Sequence, residues 1–223
     1  KKSGDAYYQD NIHRNIVQKE IQKLLSKQVE GIIYVASHER LINVIPADLP
    51  IPTVVAYGFT NKPEIPSVVV KDKGGAEQLV RYLISCGHKR IGVIAGKKES
   101  IHTQSRLEGY QSALFGYEHT EELVKRGATA IFCMNDFMAG GAYDRLDELG
   151  YTVGKNIAVA GFDNREMASY EKPELTTMGL PLHDIGYCAS EVILKLLRGE
   201  EIHQKNGVYS VECKPFIRNS VNM

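Results

Sequence analysis

Five polar or aromatic residues stand at the ends of short apolar runs or in the segment that one leads into, where a side chain can meet a ligand. Tyr57 follows TVVA, His102 and Arg106 follow IGVIAG within KKESIHTQSR, Asn135 follows AIFCM, and Asp163 closes IAVAGFD. This set holds a guanidinium fork, an amide, a carboxylate and an aromatic ring. It matches the recognition of hydroxyl-rich molecules such as sugars. A carboxylate accepts from one or two hydroxyls, an amide both donates and accepts, and a guanidinium donates through a planar fork. Arg106 and Asp163 could also lower the cost of burying each other's charge. His102 and Arg106 are four positions apart and share a face if that segment is helical.

Each residue also has a plainer reading. Arg106 could be a solvated helix residue beside Glu108, and His102 an exposed polar one. Asn135 and Asp136 could form a strand-end turn in which Asp136 caps the helix that begins FMAGG. Asp163 could be a turn residue of GFDN.

Other chemistries find little support. The paired glycines at 74–75 and 140–141 lack the spacing of a dinucleotide or phosphate loop, and no nucleophile–base–orienter set is visible. His88, in GHKR, reads as a helix-end residue near a negative dipole end. His183 beside Asp184 is a poor catalytic pair. Cys86, Cys133, Cys188 and Cys213 form no CxxC pair and read as small hydrophobes rather than disulfide or metal ligands. The expectation is a non-enzyme with no catalytic residue, no metal and no cofactor.

The elements that must position these residues alternate in type. Helix is expected near Asn11–Lys27, then strands at 31–37, 53–58 and 67–70, and a helix at Lys73–Ser85. A strand at 90–96, a helix at Thr103–Leu114, a strand at 129–135 and a helix at Phe137–Leu149 follow. Next come a strand at 156–163, a helix at Asp184–Leu197 and a last strand or two within Gly207–Pro215. Apolar runs buried on both faces and interleaved with helices imply parallel strands with helical crossovers. In such sheets ligands sit outside the carboxyl ends of the strands, where the five residues fall.

The alternation breaks twice. A helix precedes Gly31 with no strand before it, and SRLEGYQSALF runs almost directly into GYEHTEELVKRG. A helical hairpin would explain the second break. The favoured explanation is that residues are missing at Phe115–Gly116.

Lys+Arg and Asp+Glu number 27 each, so the formal net charge is zero, unlike a free-standing nucleic-acid-binding domain. No apolar run approaches a membrane span and the first residues are too polar for a signal peptide. The cytoplasm is the expected location.

The strings LISCGHKRIGVIAG, RLEGYQSAL, AIFCMNDFMAGGAYDRLDELGYTVGKNIAVAGFDN and PELTTMGLPLHDIGYCASEVILKLL together resemble the lactose-repressor (LacI/GalR) family, from about residue 53 onward. The resemblance implies a periplasmic-binding-protein-like α/β fold of two Rossmann-like subdomains with parallel sheets joined by three crossovers, closing on an effector. The N-terminal subdomain would comprise residues 1–89 and 180–205, and the C-terminal one 90–179 and 206–223. By position, Arg106, Asn135 and Asp163 match the family's effector contacts, and His102 a further one. Leu180 and Leu182 match the third crossover, where some sugar-binding relatives carry polar or aromatic groups. The acidic residue of VVVKDKGG is displaced by one position, so Asp72 takes no role. The resemblance further implies a homodimer, a carbohydrate effector, and operator DNA bound through an N-terminal helix-turn-helix not present in this chain. A secreted sugar-binding protein of an uptake system, which shares the fold, is the alternative.

Overall fold

The structure is a computed structural model; it describes residues 2–37, 39–94, 127–202 and 205–222. The chain divides into two compact units, Lys1–Val69 with Leu182–Val211, and Val70–Pro181 with Glu212–Met223.

The first unit opens with helix α1 (Lys2–Ser26) and carries a four-stranded sheet in the order β1-β2-β3-β8. Its strands are β1 (Ile32–Val35), β2 (Thr53–Ala56), β3 (Ser67–Val70) and β8 (Val208–Val211). The pairs β1–β2 and β2–β3 are parallel, with Ile32 opposite Thr53 and Val55 opposite Ser67. Every residue of β2 is buried, as expected of an inner parallel strand covered on both faces. Helix α4 (Leu182–Leu197) packs on β1 and β2 through Ile185, Ala189, Val192 and Ile193, a stripe at helical spacing. Ala36, Ile42, Ile45, Val55 and Ile65 form a second apolar cluster under the loops that follow β1 and β2.

The second unit carries five strands in the order β4-β5-β6-β7-β9: β4 (Ile91–Ile94), β5 (Ala130–Cys133), β6 (Ala158–Asp163), β7 (Thr176–Gly179) and β9 (Lys214–Phe216). Strands β4 to β7 run parallel and β9 is antiparallel to β7. Helix α3 (Asp136–Glu148) buries Ala139, Ala142, Tyr143 and Leu146 against Cys133, Val159 and Leu175. It ends at Gly150, whose φ of 76° lets Tyr151 N–H reach back to the Leu146 carbonyl at 2.8 Å.

Helix α2 (Asp72–Ser85) packs on β7 and β9. Gly75 makes that approach possible, since a Cβ there would lie 2.9 Å from Cys213 Cβ and 3.1 Å from Phe162 Cζ. Gly75, of the first glycine pair, thus serves packing.

The compact units divide between Val69 and Val70, where α2 packs on the second sheet, and between Val211 and Glu212, after β8 has joined the first.

Strand β7 is absent from the elements expected of the sequence, yet it lies inside the second sheet. Its TTMG carries two hydroxyls and a glycine, so it lacks the apolar signal of a buried strand. The hydroxyls are satisfied internally: Thr176 Oγ1 donates to the Arg218 carbonyl at 3.1 Å, and Thr177 Oγ1 donates to Asp136 at 2.6 Å.

The segment after β9 is bound into the same sheet. Ser220 Oγ donates to the Val159 carbonyl at 2.6 Å and accepts from Thr176 N–H at 2.8 Å, while Val159 N–H donates to the Ser220 carbonyl at 3.1 Å. Ser220 and Val221 are buried.

Candidate functional site

Strands β5 and β6 are adjacent and parallel, with Phe132 opposite Ala160. Beyond that pair, Asn135 comes two residues after the end of β5 and Asp163 is the last residue of β6. The structure therefore brings these two predicted residues to one edge of the second unit.

Asn135 is the N-cap of α3. Its backbone is extended (φ −156°, ψ 168°) and its Oδ1 accepts from Met138 N–H at 2.8 Å. This corrects the expectation that Asp136 caps the helix: Asp136 already lies within its first turn. The cap occupies the amide oxygen, so what Asn135 can offer a ligand is its NH2 group.

Asp136 is fully buried. One carboxylate oxygen accepts from Thr177 Oγ1 at 2.6 Å and the other from Arg165 N–H at 2.6 Å. Burial pushes its pKa up to about 6. The two hydrogen bonds oppose that rise, the neighbouring Asp163 charge adds to it and Arg218 opposes it.

Asp163 has a side chain 10% exposed and a φ of 108°, and Asn164 follows with a φ of 52°. Two consecutive non-glycine residues in this region are uncommon, although Asp and Asn tolerate it better than most. The turn is tied down on several sides. Leu180 N–H donates to the Asp163 carbonyl at 3.3 Å, Arg218 donates to Asn164 Oδ1 at 2.8 Å, and Arg165 N–H is held by Asp136. Asp163 is thus a turn residue whose backbone is held in place from several sides.

Two neighbours were not singled out in the sequence. Arg165 Nε stands 3.4 Å from Asp163 Oδ2, and its guanidinium lies 4.8 Å over the ring of Phe137, which is 61% exposed. Each lies two residues beyond a predicted contact, Arg165 after Asp163 and Phe137 after Asn135. That proximity was the available signal. Among the described residues, Arg165 is the cation ion-paired with Asp163.

Tyr57 lies in the first unit, just after β2, with a φ of 56° and its N–H donating to the Val68 carbonyl at 2.9 Å. It lines an open cavity of about 540 Å³ with Ile33, Val35, Ser37, Leu182 and Ile185. Arg106, His102 and the Phe115–Gly116 junction lie outside the described residues.

The two remaining histidines of interest take structural places. His183 is 92% exposed with Nδ1 3.4 Å from Asp184 Oδ1, an open surface pair. His88 follows α2 as expected, with Nδ1 3.2 Å from Thr129 Oγ1, and burial lowers its pKa.

Comparison with known proteins now bears on this geometry. Residues 80–221 match the periplasmic binding protein-like domain family, which is more than half of the chain. The HTH-type transcriptional repressor CytR of Escherichia coli (strain K12) is 30% identical over 241 residues, spanning 95% of this chain and 68% of CytR. The chain belongs to the LacI/GalR family of transcription regulators. A LacI-family regulator from Rhizobium etli superposes with a TM-score of 0.82 at 28% identity, over 91% of this chain and 82% of that one. A LacI-family regulator from Enterococcus faecium with bound ribose shares the fold, with a TM-score of 0.69 at 24% identity over 90% of this chain and 82% of that one. The region matched is the effector-binding part of a LacI/GalR regulator, and the repressor relatives favour this reading over an uptake receptor. No helix among the described residues is long and apolar enough to cross a membrane.

Proposed function

We propose that this effector domain binds a small sugar-like molecule, with Asp163 and Asn135 as contacts, and that binding changes the affinity of the regulator for operator DNA. The observation that carries the reading is that Asn135 follows the end of β5 while Asp163 ends β6, its parallel neighbour. One presents an NH2 donor and the other a carboxylate acceptor. Two adjacent hydroxyls of a sugar can use both, one accepting from the amide and one donating to the carboxylate. The ribose in the E. faecium regulator of the same fold supports this ligand class. His102 and Arg106 are proposed contacts on the strength of the family pattern, and Tyr57 as the aromatic residue that follows β2.

Calorimetric titration with a panel of pentoses, hexoses and disaccharides tests the proposal. At least one sugar should bind the unmodified chain. Asp163→Ala should then weaken it about tenfold to a hundredfold, the loss of one charge-assisted hydrogen bond, with the circular dichroism spectrum unchanged. A sugar that binds both forms equally would remove Asp163 from the site. Failure of the whole panel would remove the ligand class.

A further inference from the structure

We propose that Asp136 is a positioning residue: its buried carboxylate, held by Thr177 and by the Arg165 amide, fixes the left-handed Asp163–Asn164 turn and so the direction in which Asp163 presents its carboxylate. The proposal rests on the reading of Asp163 as an effector contact.

Capping does not explain Asp136. Helix α3 already has its cap in Asn135. A carboxylate with no exposure is costly to keep in a protein interior unless its hydrogen bonds are needed. Both of these hydrogen bonds reach the elements that shape the turn. One comes from β7, the strand paired with β6, and the other from the residue that ends the Asp163–Asn164 turn. The backbone of β6 is cut to fit it, since a Cβ on Gly161 would lie 2.3 Å from Asp136 Oδ1.

Positive φ at two successive residues persists only where the surroundings over-determine it. Asp136, Arg218 and the Leu180 amide supply that determination from three directions. The ionisable groups facing Asp136 are Asp163 on β6, Arg218 after β9 and Cys133 on β5, with Thr177 on β7 as its neutral partner. The raised pKa of Asp136 agrees with a carboxylate kept for geometry at a cost.

Nuclear magnetic resonance of the labelled chain tests this without any effector. The readouts are the Arg165 amide, the Cα and Cβ shifts of Asp163 and Asn164, and the Asp163 carboxyl carbon, followed from pH 4.5 to 8. In the unmodified chain the Arg165 amide and the Asp163 carboxyl carbon should share one transition as Asp136 titrates. In Asp136→Asn, which keeps the shape, that shared transition should vanish from the Arg165 amide. In Asp136→Ala, exchange of the Arg165 amide should quicken about tenfold to a hundredfold, and the Asp163 and Asn164 shifts should leave left-handed values.

A folded Asp136→Ala with native shifts and native Arg165 protection overturns the proposal. If that variant does not fold, Asp136→Asn decides: an Arg165 amide that titrates as before overturns the proposal, and a flat one supports it. The effector reading fails separately, through the calorimetry of Asp163→Ala.

Discussion

Gly161→Ala is the perturbation whose cost can be worked most directly from the structure. The new Cβ would stand 2.3 Å from Asp136 Oδ1, 3.4 Å from Asp136 Cγ and 2.9 Å from Leu175 Cδ2. Strand β6 cannot retreat, because it is paired on both sides and Gly161 sits opposite Thr177. Leu175 is fully buried and has nowhere to swing. The carboxyl group must therefore leave its place and surrender its bonds to Thr177 and Arg165. Overpacking a core by one methyl costs about 1–3 kcal/mol, and each hydrogen bond to a charged acceptor contributes about 1.5–3 kcal/mol. These contributions overlap, so the expected loss is about 3–5 kcal/mol, in the exceptional range for a single substitution. Urea unfolding followed by circular dichroism at pH 7 measures it. The double variant Gly161→Ala with Asp136→Ala supplies the control, because removing the obstructing carboxyl should make the pair cost less than the sum of its parts. A loss below about 1 kcal/mol, or strict additivity in the double variant, would refute the argument that the carboxylate occupies the space of a Cβ.

The raised pKa of Asp136, about 6 against an ordinary 3.8, predicts a pH dependence. The folded chain binds that proton more tightly than the unfolded one. The stabilisation is therefore fully present below about pH 4 and is lost as the pH rises through about 6, by at most about 3 kcal/mol. Urea midpoints at several pH values should show this component in the unmodified chain and lack it in Asp136→Asn. Asn135→Ser should keep the helix cap and stay within about 0.5 kcal/mol in stability; with the amide donor gone, it should lose at least about tenfold in effector affinity by calorimetry. Burial and the adjacent Asp136 push the Cys133 thiol up to about 12. Iodoacetamide at pH 8 should thus modify half-buried Cys86 and Cys188 well before Cys133, and mass spectrometry showing equal rates would contradict that burial.

Most of the alternation was legible because parallel strands covered by helices write themselves as unbroken apolar runs, although β1 and β4 are only partly buried: IIYV, TVVA, IGVI and AIFC are all strands in the structure. Strand β7 was not legible because Thr176 and Thr177 satisfy their hydroxyls with partners far away in sequence, Arg218 and Asp136, which no local pattern announces. The grouping of α2 with the second unit depends on Gly75 meeting Cys213, a contact between distant residues. Asn135 and Asp163 could be picked because strand ends are visible in the sequence. Which of Asn135 and Asp136 caps α3 turns on a single residue of register, which spacing leaves undecided. Arg165 and Phe137 lay in view beside the chosen residues, but their approach across two loops is tertiary.

The burial of Ser220 and Val221 between β6 and β7 bears on the order in which the protein can acquire its shape. Translation proceeds from the amino end, and a ribosome that has made β4 to β7 has still not delivered the hydroxyl and backbone groups that pair with Val159 and Thr176. The second sheet therefore waits, with those groups open to water, until Val221 has emerged. During that interval a nascent regulator already holds its complete Asp163 turn sequence but lacks Arg218, one of the turn's anchors. The Asp163 turn should thus gain its full set of anchors only after the segment that follows β9 has been made.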